Sequence, residues 1–110
     1  MASDIEFVRY AAEQMRNAGE IAFRKMFGEY GLYCDGKFFG MICDNQVFVK
    51  ITEAVKTAYP DLPEAIPYAG AKPHFLLEDI DNAALAAAVT AETCARLPAK
   101  KEKSKKRKGQ

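Results

Sequence analysis

The most informative part of this chain is residues 30–51, which read YGLYCDGKFFGMICDNQVFVKI. Two apolar runs, Tyr30–Cys34 and Lys37–Cys43, are separated only by Asp35-Gly36. Aspartate followed by glycine is the strongest short-range hairpin signal, because both residues tolerate the positive φ that a tight turn between two strands requires. The sequence therefore predicts an antiparallel hairpin centred on this pair.

The same pattern continues on both sides of the hairpin. Asp44-Asn45 offers a second two-residue turn, which leads into a further apolar run over Gln46–Ile51. Before the hairpin, Ile21–Met26 is rich in apolar residues and is predicted to be the first strand. We therefore expect four consecutive strands that form a β-meander.

Two-residue turns also predict the register of the meander and hence its two faces. In this register Tyr33 lies opposite Phe38, Leu32 opposite Phe39, and Met41 opposite Phe48. One face then carries Tyr33, Phe38, Ile42, Val47, Val49 and Ile51, and the other carries Tyr30, Leu32, Phe39, Met41 and Phe48. Leaving such a side chain in water forgoes about 1.5–3 kcal/mol. We therefore expect helices to cover one face and helices or a partner chain to cover the other.

The remaining elements predict the fold class. Helices are expected over Ser3–Ala18, with Ser3 and Glu6 as a capping box, over Glu53–Tyr59, and over Asp81–Leu97 with Asp81 as N-cap. Two short strands are expected over Ile66–Ala69 and His74–Leu77. The resulting order, α-β-β-β-β-α-β-β-α, predicts an α+β fold, an antiparallel meander sheet packed with an N-terminal and a C-terminal helix.

Composition divides the 110-residue chain into one domain over residues 1–98 and a polar tail over residues 99–110. The tail holds seven basic residues against one acidic residue, whereas the rest of the chain holds nine basic and fourteen acidic residues. The basic tail residues are Lys100, Lys101, Lys103, Lys105, Lys106, Arg107 and Lys108. We expect the tail to be disordered. It serves either as a non-specific contact to nucleic-acid phosphates or as a solubilising end.

Candidate catalytic and metal-binding residues are few. His74 is the single histidine, and no catalytic motif surrounds it. Three cysteines, Cys34, Cys43 and Cys94, are an odd number without metal-like spacing, and the predicted register does not place Cys34 opposite Cys43. We therefore expect no catalytic site, no cofactor, no metal and no disulfide. We find no signal peptide and no apolar stretch long enough for a membrane span, which predicts a cytoplasmic protein without membrane contact.

Three short motifs carry a family resemblance: MFGEYGLY at residues 26–33, DGKFF at residues 35–39 and VFVK at residues 47–50. They resemble the hallmark stretch of the TfoX N-terminal domain, a family named after bacterial regulators of natural transformation competence. Glu29 stands where that family usually has the second glycine of a pair. The full regulators have a further helical domain, whereas this chain ends in its basic tail. The resemblance implies the fold, a cytosolic bacterial setting and a non-enzymatic link to transcription.

These observations lead to one principal expectation of function and two alternatives. We expect a protein-interaction module that forms a homodimer through the face carrying Tyr30, Leu32, Phe39, Met41 and Phe48, with a protein partner in transcription regulation. The first alternative is a nucleic-acid-associated protein that works through the tail. The second is a small enzyme that uses His74 and nearby carboxylates.

Overall fold

A computed structural model describes residues 3–97 of the chain. The helices and strands are α1 (Ile5–Gln14), β1 (Ile21–Met26), β2 (Glu29–Cys34), β3 (Lys37–Cys43), β4 (Gln46–Val49), α2 (Glu53–Ala58), β5 (Glu64–Ala65), β6 (His74–Leu76) and α3 (Ala83–Arg96). All strands join one antiparallel sheet in the order β1-β2-β3-β4-β6-β5. The predicted α+β class is confirmed. The boundary at residue 98 and the basic tail lie outside the described residues.

Three two-residue turns connect the first four strands. Asp35-Gly36 and Asp44-Asn45 form the two predicted turns, and all four residues have positive φ, between 52° and 82°. A third turn of the same kind joins β1 to β2 at Phe27-Gly28, with φ of 52° and 80°. Positive φ at both central residues is the type I′ geometry, whose twist matches that of the flanking strands. The predicted meander is therefore confirmed, with one more tight hairpin than expected.

The register of β2 against β3 departs from the prediction at one point. Tyr33 pairs with Phe38 as expected, but Leu32 pairs with Gly40 rather than with Phe39, so Phe39 forms a β-bulge. The backbone of β4 crosses very close to Gly40, because a Cβ atom there would lie 2.2 Å from the carbonyl oxygen of Phe48. The predicted pairing of Leu32 with Phe39 is wrong, since it ignored the extra residue that a bulge inserts.

The bulge also changes which side chains share a face. Tyr30, Leu32 and Phe39 pack into the main core, which also includes Ile42, Val47 and Val49 of the sheet and Val8, Val55 and Val89 of the helices. Met41 and Phe48 belong to a separate cluster with Cys43, against which Met26, Phe38, Ala65 and Leu76 pack. The prediction that Tyr30, Leu32, Phe39, Met41 and Phe48 share one face is therefore wrong. None of these five side chains is more than 7% exposed.

The first residues of α1 and α3 differ from the predictions, and α1 also ends earlier than predicted. Asp4, not Ser3, caps α1, because its carboxylate accepts the backbone N–H of Glu6. The helix proper ends at Gln14, and a 3₁₀ turn continues to Ala18. Asn82, not Asp81, caps α3 and accepts the backbone N–H of Leu85 at 3.1 Å. In both helices, the N-cap is the polar residue that directly follows the predicted one.

The fifth strand is shorter and earlier than predicted. It covers Glu64–Ala65, and the predicted strand Ile66–Ala69 is instead part of the loop that leads to β6. Pro67 explains the difference, since proline has no N–H to donate to a neighbouring strand. No helix within residues 3–97 has the length and apolar character needed to cross a membrane.

Candidate functional site

An apolar cleft of about 620 Å³ opens between the β1–β2 turn and the loop that follows β5. Its apolar lining consists of Met26, Phe27, Tyr30, Met41, Cys43, Pro67 and Tyr68, and its acidic lining consists of Glu29 and Asp44. We call it the Phe27 cleft. Its size and largely apolar walls are typical of sites that receive a ligand or a side chain of a partner.

Phe27 is the most unusual residue of this site. Its side chain is 96% exposed, and its backbone has a left-handed φ of 52°. The equivalent first positions of the other two turns are occupied by Asp35 and Asp44, a residue type that tolerates this conformation. For an L-residue with a bulky side chain the left-handed conformation costs about 1–2 kcal/mol. Phe27 therefore combines an unfavourable backbone with an aromatic ring that gains no burial within the described residues.

Exposed apolar side chains are concentrated around this cleft. The five large apolar side chains with substantial exposure within residues 3–97 are Ile5, Tyr10, Phe27, Ile66 and Tyr68. Phe27 and Tyr68 line the cleft, and Ile66 directly precedes Pro67 of its wall. These three are also the most exposed of the five, since Ile66 and Tyr68 are each 56% exposed. The cleft is therefore bordered by apolar groups that the fold itself leaves in water.

Glu29 links the lining of the cleft to the N-terminal segment through hydrogen bonds. One carboxylate oxygen accepts the backbone N–H of Ser3 at 2.8 Å, and the other accepts that of Asp44 at 2.9 Å. Ser3 in turn accepts the backbone N–H of Asn45 through its hydroxyl oxygen. Burial raises the pKa of Glu29, but the hydrogen bonds from Ser3 and Asp44 outweigh it and leave the pKa below its ordinary value. Glu29 is therefore a structural anchor as well as part of the lining.

Cys43 places a thiol in the lining of the cleft. Burial raises the pKa of this thiol, and the nearby carboxylates of Glu29 and Asp44 raise it further. The thiolate is the nucleophilic form of cysteine, and a raised pKa keeps it rare at neutral pH. Cys43 therefore contributes to the wall of the cleft as a small apolar group.

The predicted site residues are only partly brought together here. Tyr30 and Met41 line the cleft, whereas Leu32, Phe39 and Phe48 do not. The basic tail residues lie outside the described part of the chain. His74, on β6, has its Nδ1 atom 2.9 Å from the carbonyl oxygen of Lys72 and does not line the cleft.

Sequence reasoning missed Phe27 and Tyr68 as functional residues. Phe27-Gly28 is a two-residue gap between two apolar runs, and this spacing is typical of a tight hairpin. It is the signal that could have identified Phe27. Tyr68 gave no such signal, since its position depends on the path of a loop.

One group of side chains within residues 3–97 could hold a metal ion. Cys34, Asp35 and Cys94 offer two sulfur atoms and a carboxylate oxygen that all lie within 4.8 Å of one another. This group lies at the end of β2 opposite to the Phe27 turn, because Cys34 pairs with Ile21 whereas Glu29 pairs with Met26. It is therefore separate from the Phe27 cleft.

Comparisons with known proteins show what the chain is similar to. The family model of the TfoX N-terminal domain matches residues 13–80. A curated protein of Spirochaeta aurantia, described as an uncharacterized 12.7 kDa protein in the trpE 5′ region, is 32% identical over 109 residues. That similarity covers 98% of this chain and 95% of the relative.

Proposed function

The chain belongs to the TfoX N-terminal domain family, and from this membership we propose that it is a non-enzymatic protein-interaction module with a role in transcription regulation. It pairs with a second copy of itself through the Phe27 cleft. The observation that carries the proposal is Phe27, which has a left-handed backbone and a side chain that is 96% exposed. Unfavourable backbone conformations that persist in a fold are concentrated at functional sites.

A second copy of the chain is a suitable partner because the projecting Phe27 ring and the cleft lie on the same surface. The Phe27 ring projects from the turn, and the cleft that could receive such a ring begins directly beside it. A two-fold dimer needs a surface that complements itself, so that each copy offers the same group and the same pocket. Insertion of Phe27 into the cleft of the partner, and the reciprocal insertion, satisfies that requirement.

The charges beside the cleft also complement one another across such a two-fold axis. Lys25 is exposed two residues before Phe27, and Asp44 lines the cleft. Neither side chain takes part in an ion pair within residues 3–97. When Phe27 of one copy enters the cleft of the other, Lys25 approaches the cleft that carries Asp44. Complementary charges of this kind chiefly improve the specificity and the rate of association.

The chemistry of the cleft favours binding over catalysis. The carboxylate oxygens of Glu29 are both engaged by backbone N–H groups, and the raised pKa of Cys43 disfavours its nucleophilic form. The remaining lining is mainly thioether and aromatic, which supplies contact area rather than proton transfer. An apolar recess of this type is suited to hold an aromatic side chain.

Sedimentation velocity over a range of concentrations tests the proposal. The wild-type chain is expected to show a concentration-dependent dimer. Phe27→Asn should weaken dimerisation about 30-fold or more, because loss of a central aromatic contact typically costs at least about 2 kcal/mol. Asp35→Asn is the matched control, since it places the same residue at the equivalent position of another turn. A wild-type monomer at all concentrations, or equal dimerisation of Phe27→Asn, would refute the proposal.

A further inference from the structure

Two cysteines that are 60 residues apart in sequence meet at the end of the sheet remote from the Phe27 cleft. Cys34 ends β2 and is fully buried, and Cys94, near the end of α3, is 7% exposed. The Cys94 thiol donates to the backbone carbonyl oxygen of Cys34 at 3.4 Å. The Cys34 thiol lies 3.9 Å from the carbonyl oxygen of Ala18. Each sulfur thus lies within hydrogen-bonding distance of a backbone carbonyl oxygen.

A carboxylate completes the cluster. Asp35 directly follows Cys34 in the left-handed first position of its turn, and one of its carboxylate oxygens lies within 4.8 Å of both sulfur atoms. Its Oδ1 atom accepts the backbone N–H of Glu20 at 2.9 Å, while Oδ2 has no hydrogen-bond partner within residues 3–97. Gly19 closes over the group, because a Cβ atom there would lie 3.0 Å from both carboxylate oxygens and from the Cys34 sulfur.

We propose that Cys34, Asp35 and Cys94 form a binding site for a thiophilic divalent cation, with Zn²⁺ as the ion that this ligand set favours. Two sulfurs and one oxygen within 4.8 Å of one another can be brought to Zn²⁺ by small side-chain movements, since Zn–S bonds are about 2.3 Å and Zn–O bonds about 2.0–2.2 Å long. Asp35 is exposed, so water can supply the fourth ligand. Sites with three protein ligands and one water are a common form of zinc coordination.

The charges around the cluster support a cation. Two thiolates and a carboxylate carry one more negative charge than a divalent ion neutralises. Lys37 supplies the remaining positive charge, because its ammonium group donates to the carbonyl oxygen of Cys94 at 3.2 Å. Burial, together with Cys94 and Asp35, raises the pKa of Cys34 to about 12. Cysteine binds a metal ion as the thiolate, so binding displaces the thiol protons.

The binding step is a proton exchange without any change of oxidation state. Zn²⁺ forms one bond to each sulfur and one to a carboxylate oxygen of Asp35, and the two thiol protons leave to the buffer. Because α3 and the β2–β3 hairpin each contribute a sulfur, the ion joins the two elements. A ligand that binds only the folded state raises the free energy of unfolding by an amount that grows with the logarithm of its free concentration divided by its dissociation constant.

The test uses the full chain, reduced with a phosphine and freed of metal. Titration with Co²⁺ should produce a thiolate-to-cobalt charge-transfer band that saturates at one ion per chain, and Zn²⁺ should abolish it. Zn²⁺ binding, followed with a competing chelator and a pH indicator, should release two protons per ion. Cys34→Ser and Cys94→Ser should each weaken binding by more than the roughly 10- to 100-fold that loss of an outer-sphere partner costs.

Two further variants keep the test decisive. Cys43→Ser is the matched control, since it removes a third buried cysteine that lies in the separate cluster on the other face, and it should bind Co²⁺ like the wild type. Asp35→Asn keeps a residue that tolerates the turn, so weaker binding by this variant cannot be attributed to unfolding. Absence of the band, its survival in both Cys34→Ser and Cys94→Ser, or equal loss in Cys43→Ser would overturn the proposal.

Discussion

At the scale of single residues, Phe27 occupies a position where another residue would suit the fold better. The other two-residue turns place Asp35 and Asp44 at the same left-handed position. Phe27→Asn should therefore increase the free energy of unfolding of the monomer by about 1 kcal/mol, because asparagine before glycine is the preferred type I′ pair. Urea denaturation at concentrations too low for association measures this.

The stability of Phe27→Asn separates a functional residue from a structural one. A variant that is more stable yet associates less has lost a contact to a partner and nothing within its own fold. If Phe27→Asn is less stable than the wild-type monomer, Phe27 supports the fold. Its left-handed backbone would then not indicate a binding role.

Glu29 makes the stability of the fold depend on pH in the acidic range. Its pKa in the folded chain is lowered from the ordinary value of 4.5. The stability that it contributes is therefore present above pH 4.5 and is lost as the pH falls through the folded pKa. Glu29→Gln should lower the free energy of unfolding by about 1–2 kcal/mol at neutral pH, since it weakens two charge-assisted hydrogen bonds.

The pH profile of unfolding checks the role of Glu29. The difference between wild type and Glu29→Gln should shrink as the solution is acidified below pH 4.5. Glu20→Gln is the control, because the Glu20 side chain is exposed and takes part in no hydrogen bond or ion pair within residues 3–97. A difference that is constant with pH would mean that the Glu29 charge plays no part.

At the scale of elements, the close pairing of β3 with β4 requires a glycine in β3. A Cβ atom at Gly40 would meet the backbone of Phe48 at 2.2 Å, whereas one at Gly31 would meet the flexible end of Met26, its Sδ atom, at 2.9 Å. Gly40→Ala should therefore cost about 3 kcal/mol or more, because backbone must move, and Gly31→Ala only about 1 kcal/mol. Thermal unfolding of the two variants measures the contrast. Equal costs would show that the close approach of β3 and β4 is not rigid.

The meander could be predicted from sequence because its turns are local. Asp35-Gly36 and Asp44-Asn45 specify tight turns through their own backbone preferences, whatever the rest of the chain does. The bulge at Phe39 could not be predicted in this way, since it depends on how closely Gly40 approaches a neighbouring strand. A single extra residue then moved Phe39 to the opposite face from Met41, so the five side chains predicted to share one face lie in two clusters.

The candidate site was predictable only in part for the same reason. Tyr30 and Met41 were identified from their apolar character, and both line the cleft. Tyr68 joins them through the path of a loop that contains Pro67, and Cys94 meets Cys34 only once α3 has packed onto the sheet. Contacts of this kind are made by the tertiary fold and leave no periodic signal in the sequence.

At the scale of the whole molecule, the helices cover one face of the sheet, and the other face is less completely covered. The main core lies on the helical side, while the smaller cluster of Met41, Cys43 and Phe48 is bordered by the Phe27 cleft. A second copy seated on this side would bury the exposed side chains of Phe27 and Tyr68, which line the cleft. Binding of nucleic acid by the basic tail stays a separate prediction, since the tail lies outside the described residues.

In the proposed dimer, Phe27 of one copy enters the cleft of the other. Isotope-filtered nuclear Overhauser spectroscopy tests this placement on an equimolar mixture of unlabelled chain and perdeuterated chain whose only protonated side-chain groups are ¹³C-labelled methionine methyl groups. We expect intermolecular contacts between the Phe27 ring and the Met41 methyl group, which disappear when the unlabelled chain carries Phe27→Asn. A dimer without any contact between Phe27 and Met41 would contradict this placement of Phe27.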